Sequence, residues 1–338
     1  MKSYHTNKGG GLDSLTVKEH DIPTPGPHEV VVRVRASALN YRDLAILWGT
    51  YPLPIKPDGI PLADGAGEVI AIGTDVTRAK PGDRVAATPL PQWIDEPFFP
   101  GLDSAAQIGG SLDGLLTEYA LLHEEWLVHI PDHLSFEEAA ALPTAGVTAW
   151  NALTGARPLQ AGETMLILGS GSVSLFALQF AKHLGARVIA TTSSEEKAQQ
   201  LHTLGADKVI NYRTTPNWHE TVRELTSGRG VDVVVESTNP GTLEQSIKAT
   251  AVSGQVVLVG WLPSDVSTID IGSFFFGLVA LWPIFGGSRV QFHAMNRAVA
   301  QSRLRPAIDR VFPFEDAKAA YRYYEEAQPF GKVIISHN

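Results

Sequence analysis

Thr164-Met165-Leu166-Ile167-Leu168-Gly169-Ser170-Gly171-Ser172-Val173-Ser174-Leu175-Phe176-Ala177-Leu178-Gln179-Phe180-Ala181-Lys182-His183-Leu184-Gly185-Ala186-Arg187-Val188-Ile189-Ala190-Thr191-Thr192-Ser193-Ser194 is the stretch on which the fold turns. An apolar run at 165–168 ends in the small residues 169–172, and apolar residues at helical spacing follow. Gly185-Ala186 then leads into a second apolar run, 188–190. Strand, tight turn, helix and strand in that order present backbone N–H groups and a helix N-terminus to a pyrophosphate. The pattern G-x-G-x-x-G occurs as Gly169-x-Gly171-x-x-Ser174. Its first two glycines serve the tight turn and close phosphate approach. The third normally lets helix pack on strand, a role serine can fill with a small displacement. The turn Gly169, Ser170, Gly171, Ser172, Val173 is therefore read as the seat of a nucleotide cofactor.

Working outward, strand patterns recur at 164–168, 187–191, 207–211, 231–235 and 255–259, separated by helical patterns at 173–184, 195–204, 217–226 and 241–251. Such alternation predicts an α/β fold, a doubly wound parallel sheet with helices on both faces. Residues 1–122 read as β-rich, with strands at 30–36, 67–73 and after the turn Pro81-Gly82-Asp83. Helices are predicted at 135–142, where Ser135 and Glu138 form a capping box, and at 147–153. The tail reads as helix 292–300, strand 308–312, helix 314–326 and strand 332–336. The stretch 89–114, rich in Pro and Gly and carrying Trp93, Phe98 and Phe99, shows no element. A loop of that length is usually functional or disordered; its aromatics either rim a substrate cavity or anchor the loop to the surface.

A chain of 338 residues, 44% hydrophobic and 19% charged, is expected to form two domains of a soluble protein. No apolar run reaches the roughly 18 residues of a membrane span. The net charge of −9, without a basic block, argues against nucleic-acid binding. The start Met1-Lys2-Ser3-Tyr4-His5 has no apolar signal region, so cytoplasmic residence is expected. The absence of cysteine removes disulfides, thiolate nucleophiles and cysteine-based zinc sites together.

The order of further motifs carries a resemblance. Asn40-Tyr41-Arg42-Asp43, Gly65-Ala66-Gly67-Glu68-Val69, Gly82-Asp83-Arg84-Val85, Ala139-Ala140-Ala141-Leu142-Pro143 with Thr148-Ala149-Trp150, the Gly169 turn, Leu204-Gly205-Ala206-Asp207 with Asn211-Tyr212-Arg213, Gly230-Val231-Asp232 and Phe330-Gly331-Lys332-Val333 occur in sequence. Over essentially the whole length the chain resembles the medium-chain dehydrogenase/reductase superfamily, in its zinc-free quinone oxidoreductase-like branch. The resemblance implies a Rossmann domain (124–287) inserted into a GroES-like β-barrel catalytic domain (1–123 and 288–338), with the active site in the cleft. It also implies a homodimer or homotetramer pairing through the sheet edge, here 280–285, whose apolar character suits an edge that must be covered.

Zinc-dependent relatives place cysteine at the position of Asn40 and a His-Glu pair where this chain has Ala63-Asp64. His129 and His133 are split by Pro131 and cannot share a helix face. Catalytic zinc needs three convergent ligands and an open position, so no metal is expected.

The cofactor reading follows from the end of the second strand. NAD readers usually place an acidic residue there, whereas this chain has Thr191-Thr192-Ser193-Ser194 with Lys197 one helical turn on. By resemblance Ser193, Lys197 and Tyr212, with Thr192 and Arg213 nearby, match a 2′-phosphate pocket, which favours NADPH over NADH. The alternative makes Ser194 a helix cap and Glu195 a ribose reader. Gly260, ending the last strand, lets the backbone approach the carboxamide.

For the chemistry, Asn40 can hydrogen-bond a substrate carbonyl or the nicotinamide ribose, Tyr41 can donate a proton, and Thr148 lies in a stretch that flanks the nicotinamide in relatives. Asn40-x-x-Asp43 is equally a helix N-cap signature. Trp48, the 89–114 loop, Trp261 and 274–276 are candidates for the substrate pocket. Hydride delivery to a plain ketone builds alkoxide charge that zinc enzymes stabilise as a Lewis acid, whereas one hydrogen-bond donor supplies only roughly 2.7–4 kcal/mol. A quinone or α,β-unsaturated carbonyl spreads that charge and asks less of the site. The expected activity is NADPH-dependent reduction of such an acceptor. A zinc-independent alcohol or carbonyl dehydrogenase and a non-catalytic NADPH-binding protein are the alternatives.

Overall fold

The chain opens on an antiparallel hairpin, β1 (Lys2–His5) with β2 (Thr16–Glu19), and reaches its hub in β3 (Glu29–Ala38). The computed structural model describes residues 1–95, 105–238, 240–260 and 269–337. These form two compact units, 1–147 with 286–338, and 148–285.

In the first unit β3 leads through α1 (Tyr41–Trp48) to β4 (Asp64–Ile72), its antiparallel neighbour. β5 (Arg84–Ala87) extends the sheet, β6 (Tyr119–His123) pairs back onto β3, and β7 (Leu127–His129) pairs with β5. Val30, Val32, Val34, Val69, Val85, Leu122 and Leu127 fill the core that these strands wrap. α2 (Phe136–Ala140) starts on the expected capping box: Ser135 Oγ accepts from the Glu138 N–H at 3.2 Å, and the Glu138 carboxylate accepts from the Ser135 N–H at 2.8 Å. The helix expected to 142 stops earlier, because Pro143 cannot supply an N–H to continue it; a π-helical turn at Leu142–Gly146 follows, then α3 (Val147–Thr154). The segment 124–147, read from the sequence as part of the nucleotide-binding domain, lies in the first unit, because β7 pairs with β5 and α2 packs on β3 and β4. In the long loop Trp93 is buried with Leu90 and Ala105; Phe98 and Phe99 lie outside the described residues.

The second unit alternates β8 (Thr164–Leu168), α4 (Ser172–His183), β9 (Arg187–Thr192), α5 (Glu195–Thr203), β10 (Lys208–Asn211), α6 (Trp218–Leu225), β11 (Val231–Glu236), α7 (Leu243–Ala249), β12 (Thr250–Leu258), α8 (Ile271–Gly277) and β13 (Ala280–Pro283). Among the described residues its strands are all parallel in the order β10-β9-β8-β11-β12-β13. This is the doubly wound arrangement, with the order reversing between β8 and β11. Parallel strands covered on both faces read as near-continuous apolar runs; β11 is buried throughout, and its two carboxylates are bonded, Asp232 accepting from the Thr164 N–H and Glu236 from Ser246 Oγ. β12 begins at Thr250, inside the stretch expected to be helical: Thr250 already pairs with Val231 before an irregularity in register.

The chain returns to the first unit through α9 (Arg289–Ser302), β14 (Ile308–Pro313), α10 (Ala317–Ala327) and β15 (Lys332–Ser336). β15 lies parallel to β14 and antiparallel to β3. Just past it His337 is buried, its Nδ1 and Nε2 bonded to Thr117 O (3.1 Å) and Ser37 Oγ (2.8 Å); burial pushes the imidazole down to about 3.

Candidate functional site

Strand register assembles a polar centre in the first unit. Ala38 of β3 pairs with Asp64, the first residue of β4, and with Ile334 of β15, two residues beyond Lys332. Asn40 lies two residues past the end of β3. Lys332 Nζ donates to Asn40 Oδ1 (2.7 Å), Asp64 Oδ2 (2.9 Å) and Leu39 O (3.0 Å). Asn40 Nδ2 donates to Asp64 Oδ2 at 2.9 Å, and Thr144 Oγ1, from the π-helical turn, donates to Asp64 Oδ1 at 2.5 Å. Lys332 and Asp64 are 0% exposed and Asn40 7%. A buried ion pair persists only when its remaining donors and acceptors are bonded, and here all three ammonium N–H groups are spent.

The Asn40 backbone has a separate partner: its N–H donates to Asp43 Oδ2 at 2.8 Å, opening α1. Asp43 is buried, its Oδ1 has no partner among the described residues, and desolvation raises its carboxyl to about 6 against the lowering pull of Arg42. Tyr41 is 36% exposed and packs edge-on against Trp48 at 5.7 Å; Trp48 Nε1 donates to Glu325 at 3.0 Å. Burial raises the Tyr41 phenol, so it stays protonated at neutral pH.

In the second unit the turn after β8 is left open. Gly169 has φ +72°, the left-handed region that favours glycine, and a Cβ added at Gly169 or Gly171 meets nothing within 4 Å. Ser170 is buried, Ser172 starts α4 and Val173 follows it. Ser174 fits in place of the third glycine by donating to Leu168 O at 2.7 Å and bonding Ser237 Oγ at 2.9 Å. At the end of β9, Thr192 is buried and its Oγ1 has no partner among the described residues. Tyr212, half exposed, reaches the same place, its N–H donating to Thr192 O at 2.9 Å. Ser194 Oγ accepts from the Lys197 N–H at 3.3 Å and so caps α5, while the Glu195 carboxylate accepts from Asn211 Nδ2 at 3.1 Å. Thr192, Ser193, Lys197 and Tyr212 thus meet at neighbouring ends of β9, α5 and β10. The open glycine cradle and the unpartnered hydroxyl suit a phosphate-bearing dinucleotide.

Gly260 has a different immediate reason from the expected one. A Cβ there would come within 2.4–2.6 Å of the Ser237–Thr238 backbone, so the chain's own approach demands glycine. Thr148 is buried at the start of the second unit. Phe274 packs on the sheet core, Phe275 and Phe276 are exposed, and Trp261 lies outside the described residues. His129 Nε2 bonds Asp83 Oδ2 at 3.1 Å and His133 Nε2 bonds Leu304 O at 3.0 Å. Among the described residues no group of three or more His, Cys, Asp or Glu could hold a metal ion. Sequence reasoning missed the joining of Lys332, Asp64 and Thr144. The available signal was Lys332 itself, a charge opening the apolar run Val333-Ile334-Ile335.

Residues 26–132 match the alcohol dehydrogenase GroES-like domain and residues 172–301 the zinc-binding dehydrogenase family. A zinc-type alcohol dehydrogenase-like protein of Schizosaccharomyces pombe is 39% identical over 333 residues, 96% of either chain. A quinone oxidoreductase of Pseudomonas aeruginosa is 38% identical over 78% of this chain and 74% of its own. The crystal structure of a putative alcohol dehydrogenase from Sinorhizobium meliloti 1021 superposes with a TM-score of 0.93 at 36% identity, covering 99% of each chain. More distant matches include an acryloyl-coenzyme A reductase of Metallosphaera sedula, 29% identical over 97% of this chain and 98% of its own. A mycobacterial structure complexed with NADPH is 26% identical, with a TM-score of 0.81 over the whole of both chains.

Proposed function

The chain belongs to the medium-chain dehydrogenase/reductase superfamily, in its quinone oxidoreductase-like branch, and is an NAD(P)-dependent oxidoreductase; from that premise we propose that it reduces a quinone or an α,β-unsaturated carbonyl with NADPH and without a metal. The observation that carries this reading is the Lys332 ammonium, bonded to Asn40 and Asp64 where the family's metal would need its ligands. Asn40 and Thr144 are poor zinc donors, and the Asp64 carboxylate, the one zinc-type donor of the three, is already engaged by Asn40, Thr144 and Lys332. The donor set does not fit zinc.

The residues that would hold the dinucleotide are Gly169, Ser170, Gly171, Ser172 and Val173 at the pyrophosphate, Thr192, Ser193, Lys197 and Tyr212 at the 2′-phosphate, and Gly260 and Thr148 toward the nicotinamide end. When bound, it supplies the hydride. Asn40 holds the substrate oxygen, Tyr41 or solvent provides the proton, and conjugation in the acceptor spreads the charge that no metal is there to bind. Lys197 and the hydroxyls of Thr192 and Ser193 favour a phosphate; one oxygen of Glu195, the alternative ribose reader, is engaged by Asn211. An enzyme that spends NADPH works where NADPH is regenerated, which fits cytoplasmic residence; no described helix is long and apolar enough to cross a membrane. A second copy of the chain is the partner we assign to β13, an edge strand with Trp282 exposed on it and Phe285 exposed just past it, as Phe275 and Phe276 are on α8.

A panel of quinones, enones, aldehydes and alcohols, assayed with NADPH and NADH alongside metal analysis, tests the reading. Turnover of conjugated acceptors with NADPH by metal-free protein is expected. Activity confined to alcohols and ketones, a preference for NADH, or dependence on stoichiometric zinc would sink it.

A further inference from the structure

We infer that Lys332 is a positioning residue that fixes the Asn40 amide with Nδ2 as its only outward-facing donor, and so selects an acceptor oxygen on the substrate; this deepens the function proposed above and rests on it. An asparagine amide can be turned either way, and its partners decide which. Lys332 has only donors, so the Asn40 atom 2.7 Å from Nζ is the oxygen. Asp64 has only acceptors when ionised, so the atom 2.9 Å from Oδ2 is the nitrogen. The reversed amide would set N–H against ammonium and oxygen against carboxylate. Thr144 holds the second Asp64 oxygen and Leu39 O takes the third ammonium N–H, so neither charged group can turn to accommodate a flip.

Among the described residues one Asn40 N–H remains, on the member of the trio that is not wholly enclosed. That group can serve a carbonyl oxygen, or the enolate or quinol oxygen it becomes, while the Asn40 oxygen is engaged by the ammonium and ill placed to accept from a hydroxyl. Lys332 and Asp64 neutralise one another, so their contribution is direction rather than net charge.

The test compares wild type with K332M/D64N, which removes both charges together and spares the core an unpaired ion, and with N40A. Turnover of 2-cyclohexen-1-one is read with NADPH. Binding of 4-nitrophenolate and of the uncharged 4-nitroanisole is read on protein saturated with NADP⁺. K332M/D64N is expected to melt close to wild type, to lose about tenfold in kcat with an unchanged KM for NADPH, and to lose about tenfold in phenolate affinity but not in nitroanisole affinity. Adding N40A to it should cost nothing more. Phenolate affinity in K332M/D64N equal to wild type, or wild-type phenolate binding that does not depend on Asn40, overturns the inference. Absent wild-type turnover with Lys332-dependent phenolate binding instead counts against the proposed reaction and leaves the positioning role standing.

Discussion

The polar centre of the first unit and the glycine turn of the second solve opposite problems. Around Asn40 the chain supplies its own cation and spends every ammonium N–H on internal acceptors, with Lys332 and Asp64 wholly enclosed. At Gly169 and Gly171 it leaves the space of two side chains unfilled, and at Thr192 a buried hydroxyl without a partner among the described residues. A satisfied network is rigid before any ligand arrives; an unsatisfied one stores affinity that only a ligand can release. The first region is built to hold an angle, the second to receive a molecule.

Breaking the closed region should cost most. Asp64→Ala leaves the Lys332 ammonium buried without its anion, and urea unfolding is expected to register a loss of about 3–5 kcal/mol. The same region can be improved at its one imperfect member. Asp43 ordinarily titrates near 3.8 and is raised to about 6 in the fold, so its ionisation opposes folding by about 3 kcal/mol at neutral pH. Stability from this group is full below pH 4 and is lost as pH rises through 6. Asp43→Asn should therefore be more stable than wild type at pH 7.5, with the advantage vanishing by pH 4; a gap that widens on acidification refutes the sign.

Filling the open region should leave stability alone. Gly171→Ala meets no atom of the protein and should melt as wild type does, yet weaken NADPH by about 100-fold in calorimetry, because the backbone can no longer close on a pyrophosphate. The smallest effect is expected at the adenosine end. Lys197→Ala should narrow the ratio of kcat/KM for NADPH over NADH by about tenfold, the worth of one half-buried charge-assisted contact, with kcat nearly unchanged.

The open region was legible because it is local. Residues 164–192 hold β8, the turn, α4 and β9, and each signals its own period, glycine or cap. The capping box at Ser135 was legible for the same reason, whereas the edge strand, expected at 280–285, came from the resemblance and spans Ala280–Pro283. The closed region was not, since its members come from the ends of three strands and a π-helical turn. Hydrophobic alternation reports which residues face inward without naming the charge each will meet. Asn40 drew notice from its motif and Thr148 from the resemblance, while no sequence pattern singled out Thr144, which the π-helical turn brings to Asp64. Asp64 looked like a lost ligand rather than the anchor of a replacement.

Lys332 belongs to the strand that follows the inserted unit, and Ser37 meets His337 across 300 positions of sequence. During synthesis the parallel sheet, complete by 283, can therefore form while β3 still waits for its neighbour β15. Until β15 emerges Asp64 has no counter-ion and Asn40 no fixed direction, so the nascent chain can gain a nucleotide-binding fold well before it gains a working centre.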